Sequence, residues 1–231
     1  MRVAALQMVS TDQLSDNLQQ AQTLLEQAAQ AGAELAVLPE YFCLIGQRDS
    51  DKLAIQESFG SGPMQDFLAA TARRLGLWIV AGTLPLTADQ KDRVFNSSLA
   101  YNPQGECVAR YDKIHLFRFD NGSESYDESR VLERGSTPTV FALPSRDGHT
   151  WQVGMSVCYD LRFAELYRGY ARDGVDLILV PSAFTHTTGA AHWEVLLRAR
   201  AIENLAYVAA AAQGGTHPNG RRTWGQSMVA D

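Results

Sequence analysis

The sequence predicts an α/β fold in which two similar halves pack sheet against sheet with helices outside. Three observations point there. Short, wholly apolar runs alternate with amphipathic segments bounded by helix start and stop residues. Two of those runs, ELAVLPEY (Glu34–Tyr41) and DLILVPSA (Asp176–Ala183), share one pattern: each follows a helix and is a buried strand ended by proline. No linker or low-complexity stretch interrupts the chain, so residues 1–231 read as one domain.

The elements follow in order. RVAALQMV (Arg2–Val9) is a strand too apolar for an exposed edge. Ser15–Gln30 is a helix with a Ser cap, Leu18, Leu24 and Leu25 on one stripe, and Gly32 as its stop signal. Glu34–Glu40 is a buried strand. GPMQDFLAATARRLG is a second helix, with Pro63 near its start and Gly76 past its end. LWIVAGTLP reads as one strand. VFNSSLAYNPQGECVARYDK reads as a hairpin turning at Asn-Pro-Gln-Gly, and TPTVFALPSRDGHTWQVGMSVC repeats that shape. A helix over about Ala164–Arg172 precedes the strand VDLILVPSAF. The helix His192–Asn204 and the strand AYVAAAAQ complete the series.

Bulk properties bound the function. The 231 residues are 45% hydrophobic and 20% charged, an ordinary globular composition. The net charge of −6 comes from interspersed acids and bases, which leaves no basic face for nucleic acid. Three cysteines, Cys43, Cys107 and Cys158, make no disulfide framework and suit a reducing compartment. The N-terminal apolar run is too short for a signal peptide or a membrane span. These features lead us to expect a cytoplasmic soluble protein.

Chemically capable residues sit where strands end. Glu40 follows Pro39, Lys113 ends a hairpin strand in RYDKIHLF, and Cys158 ends a later strand in SVCYDLRFAEL. Buried strands of an α/β fold converge their C-terminal ends on one crevice, so the three can meet. A carboxylate, an ammonium and a thiol form a coherent set: base, stabiliser of developing charge, and nucleophile toward a carbonyl or nitrile carbon. Each also has a plainer reading. A thiol ending an apolar strand is often a small hydrophobe, and Glu40 and Lys113 alone read as a loop acid and a surface charge. His115, His186 and His192 raise a Cys–His pair or a metal, but no HExxH or paired CxxC spacing supports a metal, and no glycine-rich phosphate loop is present.

LPEYF, YDKIHLF and SVCYDLRFAEL, in that order and separation, resemble the three catalytic segments of the nitrilase superfamily of carbon–nitrogen hydrolases. The resemblance runs from Val3 to the last residue. It implies a four-layer αββα sandwich, pairing into homodimers or higher homo-oligomers, with no metal or organic cofactor. It makes Glu40 the general base, Lys113 the oxyanion cation and Cys158 the nucleophile. The loop ESYDESRVLERG resembles the segment supplying a second glutamate, which falls on Glu128, with Glu124 and Glu133 nearby. Family members continue past SMVAD with a turn and a further strand.

The stretches PSAFTHTTGAAHWEVLLRARAIEN and AAAQGGTHPNGRRTWGQSMVAD resemble the branch of deaminated-glutathione amidases and omega-amidases, the latter stretch being closer to the former activity. That implies a thiol amidase acting on a small amide that carries a carboxylate. Omega-amidase activity, another amidase activity, or an idle binding module are the rival readings. Tyr159 follows the nucleophile, where its backbone N–H can donate to an oxyanion, and Asp160 either fixes the turn or caps it. Arg162 is one turn past Cys158, either forked onto a substrate carboxylate or paired with Asp160 or Glu165. Phe184 supplies an apolar wall and Thr187 or Thr188 a hydroxyl. Arg221 or Arg222 either meets a carboxylate on the leaving group or is solvated loop charge.

Overall fold

A computed structural model describes residues 1–122 and 125–231 of the chain. In chain order the first half comprises β1 (Val3–Ala5), α1 (Leu14–Gln30), β2 (Leu35–Val37), α2 (Pro63–Leu75), β3 (Trp78–Val80), β4 (Leu84–Thr87), β5 (Val94–Tyr101), β6 (Cys107–Asp112), β7 (Arg118–Asp120), β8 (Ser125–Asp127) and β9 (Leu132–Glu133). The second half comprises β10 (Thr139–Pro144), β11 (Thr150–Met155), α3 (Ala164–Arg172), β12 (Leu177–Leu179), α4 (His186–Asn204), β13 (Tyr207–Ala210), β14 (Gly214–Thr216), β15 (Arg222–Trp224) and β16 (Met228–Ala230).

One sheet runs β1-β2-β3-β5-β4, with β6 and β9 also on β5; the other runs β10-β11-β12-β13-β16. Both halves contain the same unit. β1, β2 and β3 are parallel with α1 and α2 as crossovers, and β11, β12 and β13 are parallel with α3 and α4 as crossovers. Strands covered on both faces need apolar residues at every position, hence Leu-Ala-Val in β2 and Leu-Ile-Leu in β12.

The pleat then divides each strand between two cores. Leu35 and Val37 join Phe141, Leu143 and Val153 between the sheets, where the Trp78 and Phe141 rings stack 6.0 Å apart. Ala36 and Leu38 face outward to Leu25 of α1 and Met64 and Leu68 of α2. In the second half Gly154 points outward, and a Cβ there would meet the Tyr170 ring of α3 at 3.1 Å. The layers are therefore helix, sheet, sheet, helix, the αββα sandwich.

Three local expectations need correction. Ser15 is not the cap of α1: the helix begins at Leu14 after Gln13, and the Asn17 side chain secures its entry by accepting from Thr11 N–H and donating to Cys43 O. LWIVAGTLP is two strands, because Gly82 (φ +55°) kinks the chain between β3 and β4, which follow one another along the same edge of β5, opposite β6. Helix α4 starts at His186, six residues before His192, with the Thr185 hydroxyl accepting from Thr188 N–H.

Candidate active site

Strand ends build the site. β2 leads through Pro39 to Glu40, β6 leads to Lys113, β11 leads to Cys158, and β12 leads through Pro181 to Ala183. The proline echo thus has a spatial meaning. The corresponding strand ends of the two halves meet, and Ala183 N–H donates to Glu40 Oε2 at 2.9 Å.

Lys113 Nζ lies between two carboxylates, 2.9 Å from Glu40 Oε1 and 3.0 and 2.8 Å from the two oxygens of Glu128. The side chain of Lys113 is 0% exposed, that of Glu40 1% and that of Glu128 15%, so the cluster is shielded from water. Asn96 Nδ2 donates to Glu40 Oε1 at 3.0 Å. Glu128 accepts from the Tyr41 hydroxyl at 2.7 Å and from Phe117 N–H at 2.7 Å. Of the described loop glutamates, Glu128 is the one brought to Lys113. Glu133 lies in β9 against β5, and Glu124 lies outside the described residues.

Burial opposes the charge on Lys113, but the Glu128 and Glu40 carboxylates outweigh it and hold the ammonium pKa above its ordinary value. Burial also pushes the Glu128 carboxyl up; Lys113 and the hydrogen bonds to Phe117 and Tyr41 reverse that and leave it below the ordinary value. Cys158 goes the other way. Desolvation, then the Glu40 charge, push its thiol well above the ordinary range, with Lys113 opposing. At neutral pH the resting thiol keeps its proton and sits beside a carboxylate able to receive it.

Both residues at the tight bends are in the left-handed region, Cys158 at φ +50° and Tyr41 at φ +57°. Such conformations cost about 1–3 kcal/mol each and persist where surroundings hold them. Cys158 N–H donates to Pro181 O at 3.0 Å, and Tyr41 N–H donates to Thr83 Oγ1 at 2.8 Å. Cys158 opens a 3-10 turn over Cys158–Arg162, so Tyr159 is in its first turn, where N–H groups lack partners within the turn. Asp160 does more than fix that turn. One oxygen accepts from Val157 N–H (2.8 Å) and the Tyr111 hydroxyl (2.7 Å). The other accepts from His115 N–H at 3.0 Å and lies 2.6 Å from His115 Nδ1. The Cys158 turn is thereby tied to the strand that leads to Lys113.

The cavity above Cys158 is lined by Phe117, Tyr159, Arg162, Phe184, Thr188 and Arg221, beside Glu40 and Glu128. Arg162 does not pair with Asp160 or Glu165 among the described residues. Its guanidinium lies over the Tyr159 and Phe184 rings, at 5.8 and 5.7 Å, with Nη2 3.2 Å from His192 Nδ1. Thr187 is corrected: α4 begins early enough that Thr188 turns inward to the cavity, while Thr187 is exposed. Arg221 is not solvated loop charge, since it lines the cavity and donates to Ala183 O at 3.0 Å, whereas Arg222 is exposed. Sequence reasoning missed Asn96, Tyr41 and the Ala183 N–H. Asn96 in an otherwise buried strand was a usable signal, because a buried amide needs partners. Among the described residues, no group of three or more His, Cys, Asp or Glu side chains is arranged to hold a metal ion, and no helix is long and apolar enough to cross a membrane.

The chain matches the family described as carbon–nitrogen hydrolase over residues 2–231. It is 41% identical to a deaminated glutathione amidase of Yersinia enterocolitica, covering 99% of this chain and 79% of that one. An omega-amidase of Danio rerio is 34% identical, with 99% and 79% covered. Among solved structures, the NitFhit protein of C. elegans superposes with a TM-score of 0.88 at 36% identity, covering 99% of this chain and 55% of that longer one.

Proposed function

The chain belongs to the carbon–nitrogen hydrolase family, and from that premise we propose that it hydrolyses the amide of a small 2-oxo acid, with deaminated glutathione as its substrate. The observation that carries the chemistry is the buried Glu40–Lys113–Glu128 cluster beside the protonated thiol of Cys158. The substrate follows from relatives about two-fifths identical that bear the name deaminated glutathione amidase, and from Arg162 on the cavity wall.

In this reading Glu40 accepts the thiol proton as sulfur attacks the amide carbon. The net charge of the cluster does not change in that step. One negative charge leaves Glu40 and reappears on the substrate oxygen. Lys113, released from one of its two carboxylate partners, then answers the oxyanion together with the Tyr159 N–H. Glu128 keeps Lys113 charged and in place throughout. Protonated Glu40 gives its proton to the leaving nitrogen, the amine departs, and a thioester remains. Water, deprotonated by Glu40, resolves it and restores the thiol.

Arg162 takes the carboxylate of the 2-oxo acid in its planar fork, with Phe184 and Thr188 beside the acyl chain. A bare amide of the same acid satisfies the same contact, which is why omega-amidase activity on 2-oxoglutaramate is the second reading. We further propose a cytoplasmic, single-domain enzyme acting as a homodimer; exposed Val195, Ile202 and Leu205 along α4 and its C-terminal end support the pairing. The deciding experiment measures kcat/KM for deaminated glutathione, 2-oxoglutaramate and a neutral aliphatic amide. Turnover of the two oxo acids, with deaminated glutathione preferred and both lost in Arg162→Lys, is expected. Preference for the neutral amide, or an Arg162→Lys variant with unchanged kinetics, overturns the substrate assignment.

A further inference from the structure

A second cavity, of about 530 Å³, adjoins the catalytic one, and neither the acyl chemistry nor the motifs account for it. Its walls are the segment from Leu44 to Lys52, the Asn219–Arg221 turn, and Ser125 and Tyr126. Two residues connect it to the catalytic centre. Arg221 lines both cavities, and Tyr41 forms part of the wall while its hydroxyl donates to Glu128. Asn219 Nδ2 donates to Gly46 O at 2.7 Å, which fastens the two loops that face each other across the space.

The lining is cationic. Arg48, Lys52 and Arg221 face it against a single carboxylate, Asp49. Lys52 Nζ is 13% exposed by side chain, lies 4.7 Å from the Tyr41 ring centroid and reaches Asp49 Oδ1 only at 3.4 Å. Arg221 Nε is buried with no acceptor among the described residues, although Nη2 is used by Ala183 O. Buried guanidinium donors are ordinarily filled. An anionic group is what a lining of three cations and one carboxylate suits.

An amide has two sides. With the acyl side held at Arg162, the amine side continues past the reacting carbon toward Arg221, which lines both cavities. We propose that the outer cavity is the subsite for the amine portion of the substrate, and that it selects leaving groups carrying a carboxylate, as a dipeptide does. The inference rests on the amidase reading above and adds specificity residues to it, Arg48 and Lys52, in a segment outside every motif of the family. Its size falls within the roughly 300–1,000 Å³ of small-ligand sites. The TWGQSM stretch takes no part in it, since Trp224 lies elsewhere, against Gly189.

The test uses three 2-oxoglutaryl amides with one acyl group and different amines: Cys-Gly, Cys-Gly amide and ammonia. Wild type is expected to show kcat/KM about tenfold higher for Cys-Gly than for its amide, the scale of one screened charge contact. Raised ionic strength shrinks that ratio. Arg48→Gln and Lys52→Gln bring it toward one; the Arg48 side chain is 83% exposed, so its replacement tests binding without threatening the fold. Equal kcat/KM for the two dipeptide forms in wild type, or a ratio that survives in both variants, overturns the subsite. If none of the three amides is turned over, the oxo-acid reading has failed instead. The subsite is then decided by calorimetry with Ser-Gly and Ser-Gly amide: preferential binding of Ser-Gly, lost in Lys52→Gln, upholds it, and equal binding overturns it.

Discussion

Lys113 serves two carboxylates at once, and that makes its removal informative. Lys113→Met leaves Glu40 and Glu128 buried with no counter-charge, a change that typically costs about 3–5 kcal/mol of stability. The double variant Lys113→Met with Glu128→Gln is expected to regain part of that loss in a denaturant titration, because one uncompensated charge is gone. The chemical step is expected to slow by about 2.7–4 kcal/mol, the usual loss for one oxyanion contact, with KM much less affected. Cys158→Ala abolishes turnover while leaving the melting temperature close to wild type. Glu40→Gln is also expected to slow alkylation of Cys158 by a haloacetamide, since the thiol, still held above its ordinary pKa by burial, then has no base to take its proton. Rapid alkylation in that variant argues against Glu40 as the base. Glu128 gives a pH signature. Its carboxyl is below the ordinary 4.5 in the folded state, so its stabilising contribution is present above that value and fades as pH falls through the folded-state pKa. Wild type is therefore expected to lose stability below about pH 4.5 more steeply than Glu128→Gln, measured as denaturant midpoint against pH.

At the level of elements, the turn between β3 and β4 stands directly behind the Glu40 bend. A Cβ at Gly82 would lie 2.0 Å from Pro39 O, and its φ of +55° is itself strained for other residues. Gly82→Ala is expected to cost about 1–3 kcal/mol from the backbone alone, with a further penalty as the Pro39–Glu40 segment shifts. A drop in melting temperature accompanied by a fall in kcat checks this, and a stable variant with normal kcat refutes it. Gly189 plays the corresponding part in α4, where a Cβ would meet Trp224 at 2.3 Å. That glycine and the preceding threonines, poor helix formers, obscure the first turns of α4 in the sequence. The early start of the helix in turn decides that Thr188, not Thr187, lines the cavity.

Across the whole molecule, the site is a joint between halves. Glu40 from the first half takes the Ala183 N–H of the second, and Gln213 Nε2 returns to Glu40 O at 3.1 Å and to Ser10 Oγ at 2.6 Å. Asp160 reaches Tyr111 and His115, and the Trp78–Phe141 stack crosses between the sheets. With so many contacts shared, and a core between the sheets drawn from both halves, the two are coupled. Activity, tryptophan fluorescence and far-ultraviolet circular dichroism are expected to be lost at one denaturant concentration. Loss of activity well ahead of the other two signals points to a site less tightly coupled to the fold than these bonds imply.

Sequence by itself determined what is local. The apolar runs, the helix stripes, Pro63 and Gly76 around α2, and the repeated strand-proline pattern are legible because period and end signals depend on neighbouring residues. Glu40 and Cys158 were legible because each stands at the end of an apolar run, and Lys113 because it closes a hairpin strand within a motif resembling the family's. What only the tertiary structure decided involves partners far apart in the chain. Ala183 N–H is 143 residues from the carboxylate it meets, and no periodicity encodes that distance. Nor does local pattern choose Glu128 over Glu133, Arg221 over Arg222, or bring Arg48, Lys52 and Arg221 to one cavity. Those choices depend on how loops cross once two sheets have packed, and packing is set by the summed burial of the whole core.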